Sequence, residues 1–477
     1  MKNANRLFVT SVAMALSSLL TSRAAAQDWS QWRGSNRDGK VTGFNAPKTW
    51  PKTLTQKWRV TVGEGVATPA LVGDTLYVFS RQEGNEVTRA LNAATGKELW
   101  QEKYESLGAS GAAQSFSGPR SSPTVAEGKL VTLGVRGMLS CLETGSGQKV
   151  WRKDEFQAYP RFHASSSPII ANGLCIAQLG GPDNGAVVAY NLADGAQKWK
   201  WNGPSPVYAS PVVMTVNGTK LVLAQTETKL VALGLMDGAL LWELAASSGG
   251  GGGPGGGPGG GGPGGRGGGM GGGRDYKAAT PIVDGSVIIT AGRGLKAVKL
   301  EKSDTGFVGK ELWSSPDKSV QFNTPVLKNG SLYGLTGANE LFCVNSTDGK
   351  VLWSAPISAT GADRPPQAGP PGAGPPPGGP PPGGGPPGGP PGGGPGGRGR
   401  GMGGGGGTGF GSIVDAGSVL LALTPSAELI AFQSGDKAYA ELARIKVADS
   451  PTHAYPIASG NRIFIKDKDS VTLWTIE

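Results

Sequence analysis

Residues 90–100 read ALNAATGKELW: a short alternating strand, a turn that contains Thr95 and Gly96, and a second strand that ends on Trp100. Variants of this unit, with the same glycine and tryptophan, recur at residues 143–151, 191–199 and 345–353. Glycine suits a tight strand reversal because it adopts positive φ without steric cost. The unit therefore predicts a hairpin between the last two strands of a repeating β-sheet.

A second marker, a Ser, Thr or Tyr followed by proline, opens seven units along the chain. These prolines are Pro69, Pro123, Pro168, Pro211, Pro281, Pro325 and Pro456, and Ser412 fills the same place in one further unit. The period is about 45 residues once two low-complexity inserts are set aside, which is typical of a β-propeller, whose sheets bury both faces only by stacking on their neighbours. We therefore predict an all-β, eight-bladed β-propeller of four-stranded antiparallel blades over residues 57–477.

One tryptophan marks the fourth strand of most units. These blade tryptophans are Trp58, Trp100, Trp151, Trp199, Trp242, Trp313 and Trp353. Trp58 precedes the first proline-marked strand, so its strand should complete the last blade and close the ring, which removes exposed sheet edges. Packing between blades is the role we predict for the whole set.

The alternating pattern of the first unit predicts strands A to D over residues 68–72, 75–80, 87–92 and 98–101, with a loop over residues 81–86. In such a blade the B-to-C and D-to-A connections lie on one face, which we call the D–A face. The longest connections of this chain are D-to-A. Because binding is usually placed in loops on a rigid scaffold, we expect it on the D–A face.

Residues 1–26 have the pattern of a signal peptide: a basic start, an apolar stretch, and a small-residue cleavage site that ends at Ala26. We therefore expect an exported protein of the periplasm or cell envelope, cleaved after Ala26, with residues 27–56 as a lead-in to the propeller. No later apolar run is long enough to predict a transmembrane segment.

Two inserts, at residues 249–274 and 364–407, consist mainly of glycine and proline and are predicted to be disordered, because they cannot bury enough apolar area to fold. The formal net charge of +10 favours envelope proteins or an anionic ligand as partners. No basic stripe outside the inserts supports nucleic-acid binding. We expect a monomer.

The sequence gives little support for catalysis or metal binding. The three cysteines are predicted to be buried free thiols, and the two histidines stand in no metal-ligand spacing. Nucleophile-elbow, zinc-protease, P-loop and dinucleotide-binding motifs are absent from suitable contexts. We therefore predict no catalytic residue, no metal site and no cofactor.

The starts of the A strands and the ends of the B strands should surround the channel on the D–A face. Polar residues at those places could bind a ligand with carboxylate or phosphate groups, or could form a solvated loop rim. The candidate ligand- or partner-binding residues are Arg81, Arg120, Arg136, Arg161, His163, Gln178, Gln225, Arg293, Gln321, Asn323, His453 and Lys466.

The repeat of residues 90–100, together with the Ser/Thr-Pro strands, resembles the pyrroloquinoline-quinone (PQQ) repeat of quinoprotein-like eight-bladed propellers. Residues 28–39, DWSQWRGSNRDG, look like the start of exported bacterial PQQ-like repeat proteins. Quinoprotein alcohol dehydrogenases of this superfamily use a calcium ion, a catalytic Asp and two adjacent cysteines, none of which can be placed at matching positions here. A second, non-catalytic branch is similar to the outer-membrane assembly factor BamB.

The resemblance implies an exported, non-enzymatic propeller that acts as a binding scaffold in the bacterial cell envelope, in the manner of BamB in outer-membrane protein assembly. One alternative is a PQQ-dependent quinoprotein oxidoreductase similar to the alcohol dehydrogenases, with PQQ and calcium in the channel. A sensor of a small ligand or glycan is a further alternative, and it would use the arginine-rich D–A face.

Overall fold

The computed structural model describes residues 28–41, 43–245, 277–304, 306–357 and 411–477. The predictions for residues 1–26, 249–274 and 364–407 therefore lie outside the described residues. The described chain forms eight four-stranded sheets and one 3-10 turn, Gly111–Ala113. Among these residues no helix has the length and apolarity needed to cross a membrane.

The strands are numbered in chain order and given from the channel outward. Blades 1 to 4 consist of β2 (Ala70–Val72), β3 (Thr75–Gln82), β4 (Asn85–Asn92) and β5 (Glu98–Glu105); β6 (Thr124–Ala126), β7 (Lys129–Leu133), β8 (Leu139–Glu143) and β9 (Lys149–Lys153); β10 (Ile169–Ala171), β11 (Leu174–Leu179), β12 (Ala186–Asn191) and β13 (Gln197–Asn202); β14 (Val212–Val216), β15 (Thr219–Gln225), β16 (Lys229–Gly234) and β17 (Leu240–Ala245). Blades 5 to 8 consist of β18 (Ile282–Asp284), β19 (Val287–Ala291), β20 (Leu295–Ser303) and β21 (Gly306–Ser315); β22 (Val326–Lys328), β23 (Ser331–Leu335), β24 (Glu340–Asn345) and β25 (Val351–Pro356); β26 (Ser412–Asp415), β27 (Leu420–Leu423), β28 (Glu428–Phe432) and β29 (Glu441–Lys446); β30 (Ile457–Ser459), β31 (Arg462–Lys466), β32 (Ser470–Thr475) and β1 (Thr55–Thr61).

The ring closes as the sequence predicts. Strand β1 pairs antiparallel with β32, with Thr55 opposite Thr475 and Thr61 opposite Ser470. The first strand of the chain is thus the outer strand of the last blade, and the propeller has eight blades. In blade 7, Ser412 begins the inner strand, at the place that proline holds elsewhere.

The tryptophans pack between blades: six of them lie against the C-to-D turn of the following blade, and Trp242 lies against Gly309 of β21. Trp58 donates a hydrogen bond from its indole Nε1 to Ala93 O over 3.2 Å, and a Cβ atom on Gly96 would lie 2.8 Å from the same indole ring. Gly96 also has a φ of +72°, which favours glycine. The same arrangement joins Trp151 to the turn of Gly195. The repeated glycine therefore serves both the turn and the contact between blades.

A small residue on strand C stands opposite six of these tryptophans, whereas Trp58 faces Leu473. Ala90 pairs with Trp100, and Cys141 and Cys343 take the same place opposite Trp151 and Trp353. All three cysteines of the chain are buried and free, as predicted. Burial raises the pKa of the Cys141 thiol to about 12, so this group is an inert packing residue.

The Ser, Thr or Tyr that precedes each marker proline belongs to a ring of hydrogen bonds around the channel, which we call the hydroxyl ring. The backbone N–H of each member donates to the side-chain hydroxyl of the next, as in Ser122 N to Ser167 Oγ over 2.9 Å. The members, in order, are Thr68, Ser122, Ser167, Ser210, Thr280, Thr324 and Tyr455. The repeat marker thus fastens neighbouring blades together at the channel wall.

Blade 7 has no hydroxyl at this place, since Gly411 precedes Ser412. Tyr455 of blade 8 crosses the gap: its hydroxyl accepts from Thr324 N of blade 6 over 3.4 Å, and its own N–H donates to Thr68 Oγ1 over 2.9 Å. A tyrosine therefore stands where the other blades have Ser or Thr, because only a longer side chain reaches past the missing member.

The loop predicted over residues 81–86 is wrong. Strands β3 and β4 continue to Gln82 and Asn85 and are joined by Glu83 and Gly84, both at positive φ. Glu86, the last residue of the predicted loop, is fully buried and accepts hydrogen bonds from the Tyr104 hydroxyl and from Val135 N. These partners make a carboxyl group tolerable inside a strand.

Candidate functional site

The channel of the propeller is filled by residues 28–41 of the chain itself, a segment that we call the channel plug. Trp29 exchanges two backbone hydrogen bonds with Leu71 of blade 1, over 2.7 and 3.0 Å. At the other end, Val41 N donates to Asp415 O of blade 7 over 2.7 Å. The two ends of the plug are therefore fixed to two different blades, 1 and 7.

Arg37 is the most extensively bonded side chain of the channel plug. Its Nη1 donates to Ser167 O over 3.1 Å and to Pro211 O over 3.0 Å, and its Nη2 donates to Pro168 O. Its Nε donates to Gln31 Oε1 over 2.7 Å. Burial lowers the pKa of Arg37 to about 9, and the carbonyl oxygens compensate the buried guanidinium. One side chain thus ties the inner strands of blades 3 and 4 to the plug.

Arg33 makes a corresponding contact with another blade. It is fully buried, and its Nη2 donates to Pro325 O of blade 6 over 2.7 Å. Burial lowers the pKa of its guanidinium. Gly39 packs against this side chain so closely that a Cβ atom would lie 2.9 Å from Arg33 Nη2 and 2.6 Å from Val326. The plug and the inner strands are therefore fitted to one another.

The plug closes the channel from the face opposite the D–A face. Its outer contacts are with A-to-B turns: Asp28 Oδ1 accepts from Gly73 N over 2.8 Å, and Asn45 N, just beyond the plug, donates to Gly460 O over 2.8 Å. Trp32 points the other way, and its Nε1 donates to Thr280 Oγ1 of the hydroxyl ring over 2.9 Å. The Trp32 ring therefore forms the floor of the space that remains on the D–A side.

That space is a cavity of about 290 Å³, which we call the aromatic cavity. It is lined by Trp32, Val66, Ala113, Phe116, Arg120, Phe162, Ser165, Tyr208, Ala278, Phe322 and His453. Aromatic side chains dominate this set, and they come from the lead-in and from the D-to-A connections of several blades. Such a concave, mostly apolar site with a few polar groups is the usual form of a ligand pocket.

Arg120 is the single charged residue in that lining. Its Nη2 donates to Ala113 O over 3.1 Å and to Phe116 O over 2.8 Å, whereas its buried Nη1 has no hydrogen-bond partner among the described residues. Burial lowers the pKa of Arg120 to about 10, so it stays cationic at neutral pH. His453 lies edge-on to Phe116, and burial lowers its pKa to about 4, so it is neutral there.

Only Arg120 and His453, of the twelve predicted binding residues, line this cavity. Three of the basic residues are instead tied to backbone carbonyls of the loops: Arg81 Nη2 donates to Ser106 O over 3.3 Å and Arg136 Nε to Leu107 O over 3.1 Å. Lys466 is buried, its Nζ donates to Asp467 O over 3.1 Å, and burial lowers its pKa to about 8. These cations stabilise the D–A loops.

Three further candidates are buried: His163 and Asn323 in D-to-A connections, and Gln178 in strand β11. His163 Nε2 accepts from Ser110 N over 3.0 Å, Gln178 Nε2 donates to Gln225 O over 2.8 Å, and Asn323 Nδ2 donates to Leu335 O over 2.8 Å. Gln225 and Arg293 border a separate depression of about 260 Å³ between blades 4 and 5. Arg161 is exposed on the D–A face, and Gln321 is partly buried near Gly337.

Sequence reasoning missed the residues that fill the channel and most of those that line the cavity. The missed residues are Arg33 and Arg37 of the plug and Trp32, Phe116, Phe162, Tyr208 and Phe322 of the cavity. The available signal was the dense set of Trp, Arg and Gly in residues 28–39, which belongs to no repeat.

A quinone held by calcium does not fit the described residues. Calcium takes six to eight oxygen ligands, largely from carboxylates and carbonyls. In the part of the chain that the structure describes, no three His, Cys, Asp or Glu side chains come together as metal ligands. The channel instead holds two guanidinium groups, and the cysteines lie in three separate blades.

Comparison with known proteins agrees with this description. The family model for outer membrane protein assembly factor BamB matches residues 83–255 and 305–369. BamB of Yersinia pestis is 24% identical over 314 residues, which cover 63% of this chain and 70% of the relative. BamB of Xanthomonas campestris pv. campestris is 32% identical over 106 residues, which cover 21% of this chain and 25% of the relative.

Two solved structures share the fold at 12% identity. BamB from Moraxella catarrhalis has a TM-score of 0.54 and covers 89% of this chain and 98% of its own. Quinohemoprotein alcohol dehydrogenase from Comamonas testosteroni has a TM-score of 0.56 and covers 94% and 81%. At this identity the likeness concerns the fold alone. With its repeats, its eight blades and its sequence relatives taken together, the chain is a PQQ-like β-propeller similar to BamB.

Proposed function

We propose that this protein is a non-enzymatic binding scaffold of the bacterial cell envelope that takes part in outer membrane protein assembly. The relatives that it matches in sequence carry that function in their names. The structural observation that carries the proposal is the channel plug, whose Arg33 and Arg37 take up the channel with hydrogen bonds to the blades. Binding is thereby left to the outer surfaces and above all to the D–A face.

The alternative of a quinone-dependent oxidoreductase has less support. Its chemistry would need a bound quinone polarised by a metal ion. No group of three His, Cys, Asp or Glu side chains that could hold such an ion is found among the described residues. The fold that the chain shares with an alcohol dehydrogenase is not evidence for this activity, because folds of this kind host several unrelated functions.

Export is part of the proposal. A scaffold for outer membrane proteins must act outside the cytoplasm, and residues 1–26 have the composition of a signal peptide. Basic residues on the D–A face, such as the exposed Arg161 and Arg293, would bind acidic segments of envelope proteins by electrostatic complementarity.

The test is genetic. Deletion of the gene in its own host should lower the amount of folded outer membrane β-barrel proteins, measured by their heat-dependent mobility on gels. Re-expression of the wild-type chain should restore it. A variant with Arg161→Glu and Arg293→Glu should restore less, whereas Lys97→Glu with Lys350→Glu, on C-to-D turns of the opposite face, should restore fully. Unchanged folded barrels after deletion would refute the proposal.

A further inference from the structure

The aromatic cavity has the size of a small-molecule site. Its volume of about 290 Å³ equals that of about ten water molecules and lies at the lower end of the range for ligand pockets. It lies between the floor formed by Trp32 and the D-to-A connections that supply Phe162, Tyr208 and Phe322. A ligand there would be enclosed by several blades at once.

The lining favours a flat apolar molecule. Trp32 is held in place by its hydrogen bond to Thr280 and by an edge contact with Tyr455, whose ring centroid is 5.0 Å away. Phe116 and Phe162 add further ring surface. Aromatic rings gain from stacked and edge-to-face contacts with one another beyond the burial of their area.

The charge of the lining favours an anion. Arg120 is cationic, His453 is neutral because burial depresses its pKa to about 4, and no carboxylate belongs to the lining. The carbonyl oxygens of Ala113 and Phe116 occupy only one side of the Arg120 guanidinium, through Nη2. A guanidinium in an apolar wall with few hydrogen-bond acceptors is stabilised when an anion binds to it.

The nearby carboxyl of Glu86 does not take that place. It interacts electrostatically with Arg120, but its hydrogen bonds come from Tyr104 and from Val135 N. Burial raises the pKa of Glu86, which further weakens any neutralisation of Arg120.

We propose that the aromatic cavity binds a small, flat, apolar molecule that carries a single negative charge, with Arg120 as the residue that recognises the charge. The proposal stands whether or not the chain assists outer membrane assembly. It would give the scaffold a small-molecule ligand.

A matched pair of probes tests the proposal on the full chain. Naphthalene-2-carboxylate and its neutral amide have the same ring and nearly the same shape, and titration calorimetry with tryptophan fluorescence measures the binding of each. We expect the carboxylate to bind at least tenfold more tightly than the amide. Arg120→Gln should reduce carboxylate binding to the level of the amide and leave the amide within about twofold, since tenfold corresponds to about 1.4 kcal/mol for one charged contact.

Two kinds of control locate the binding. Lys97→Gln removes a positive charge from an exposed C-to-D turn on the opposite face and should change neither affinity. Ala278→Trp, or Ser165→Phe as a second variant, fills the cavity and should abolish binding of both probes while thermal melting shows that the variant is folded. Equal binding of the two probes by the wild type, binding that survives both filled variants, or no binding of the carboxylate at about 1 mM would overturn the proposal.

Discussion

Replacing Arg37 with methionine tests whether the channel plug holds the ring together. The substitution keeps an unbranched side chain of similar length but removes every hydrogen-bond donor of the guanidinium. The carbonyl oxygens of Ser167 and Pro211 and the amide oxygen of Gln31 then lose the donor that Arg37 supplies, whereas Pro168 O keeps the Thr124 hydroxyl as a donor. The blades remain, but the contact between the plug and blades 3 and 4 is reduced to packing.

The expected cost follows from these contacts. A buried acceptor without a partner costs about 1–3 kcal/mol, so three of them cost about 4–5 kcal/mol near the lower end of that range. Removing the buried charge offsets about 1–2 kcal/mol of this cost, because no guanidinium then has to be desolvated on folding. We therefore expect Arg37→Met to lower the free energy of unfolding by about 3 kcal/mol.

Urea unfolding followed by tryptophan fluorescence measures this loss, and thermal melting gives a second reading. An unfolding entropy of about 2.1 cal/mol/K per residue makes 1 kcal/mol worth roughly 1 °C in a chain of this length, so the melting temperature should fall by about 3 °C. Arg37→Lys keeps a shorter side chain with a donor, so its free energy of unfolding should lie between those of the wild type and Arg37→Met. Arg161→Met is the matched control, because Arg161 is exposed. A loss at Arg37 no larger than at Arg161 would refute the reasoning.

Three further predictions concern the turns, the cavity and the cofactor. Gly96→Ala should lower the free energy of unfolding by about 2–3 kcal/mol, because the residue has a positive φ and its new Cβ atom would clash with Trp58. Gly73→Ala, at φ +56° with open space around it, should lower it by only about 1 kcal/mol in the same urea assay. His453 has a folded pKa of about 4, below its unfolded value, so the unfolded state binds the proton first and the free energy of unfolding should fall as pH drops from about 6.5 to 4. At about 1.36 kcal/mol per pKa unit the loss is at most about 3 kcal/mol. His453→Gln should flatten that part of the pH profile of stability. Purified protein mixed with PQQ and calcium should show no quinone absorbance after desalting and no dye reduction with simple alcohols, and a positive result in both measurements would restore the oxidoreductase alternative.

The fold could be predicted from the sequence because its determinants are local and repeated. Gly96 and Trp100 recur in a short unit, and one unit already contains the turn, the bulky side chain and the small residue opposite it. Even the ring closure could be predicted, since Trp58 has no preceding strands with which to form a blade. Repetition lets each unit confirm the interpretation of the others.

The site could not be predicted to the same depth, because alignment places a residue on a face but does not give the direction of its side chain. Arg81 and Arg120 stand at comparable places, yet the first donates to a loop carbonyl and the second lines the cavity. The role of Arg37 depends on carbonyl groups that lie more than a hundred residues away in the chain. Contacts of this kind follow from the assembled ring and leave no local pattern.

The pairing of β1 with β32 has a consequence for how the protein is made. Thr55 leaves the ribosome more than four hundred residues before its partner Thr475, so the last blade and the Tyr455 link of the hydroxyl ring cannot form until residues 455–475 have been made. Until then the chain carries an unpaired first strand and an unpaired edge on its last sheet, both of which are open to misassociation. Loss of β32 would leave the circle open, so the full chain and fragments that lack this strand should differ sharply in their resistance to proteases.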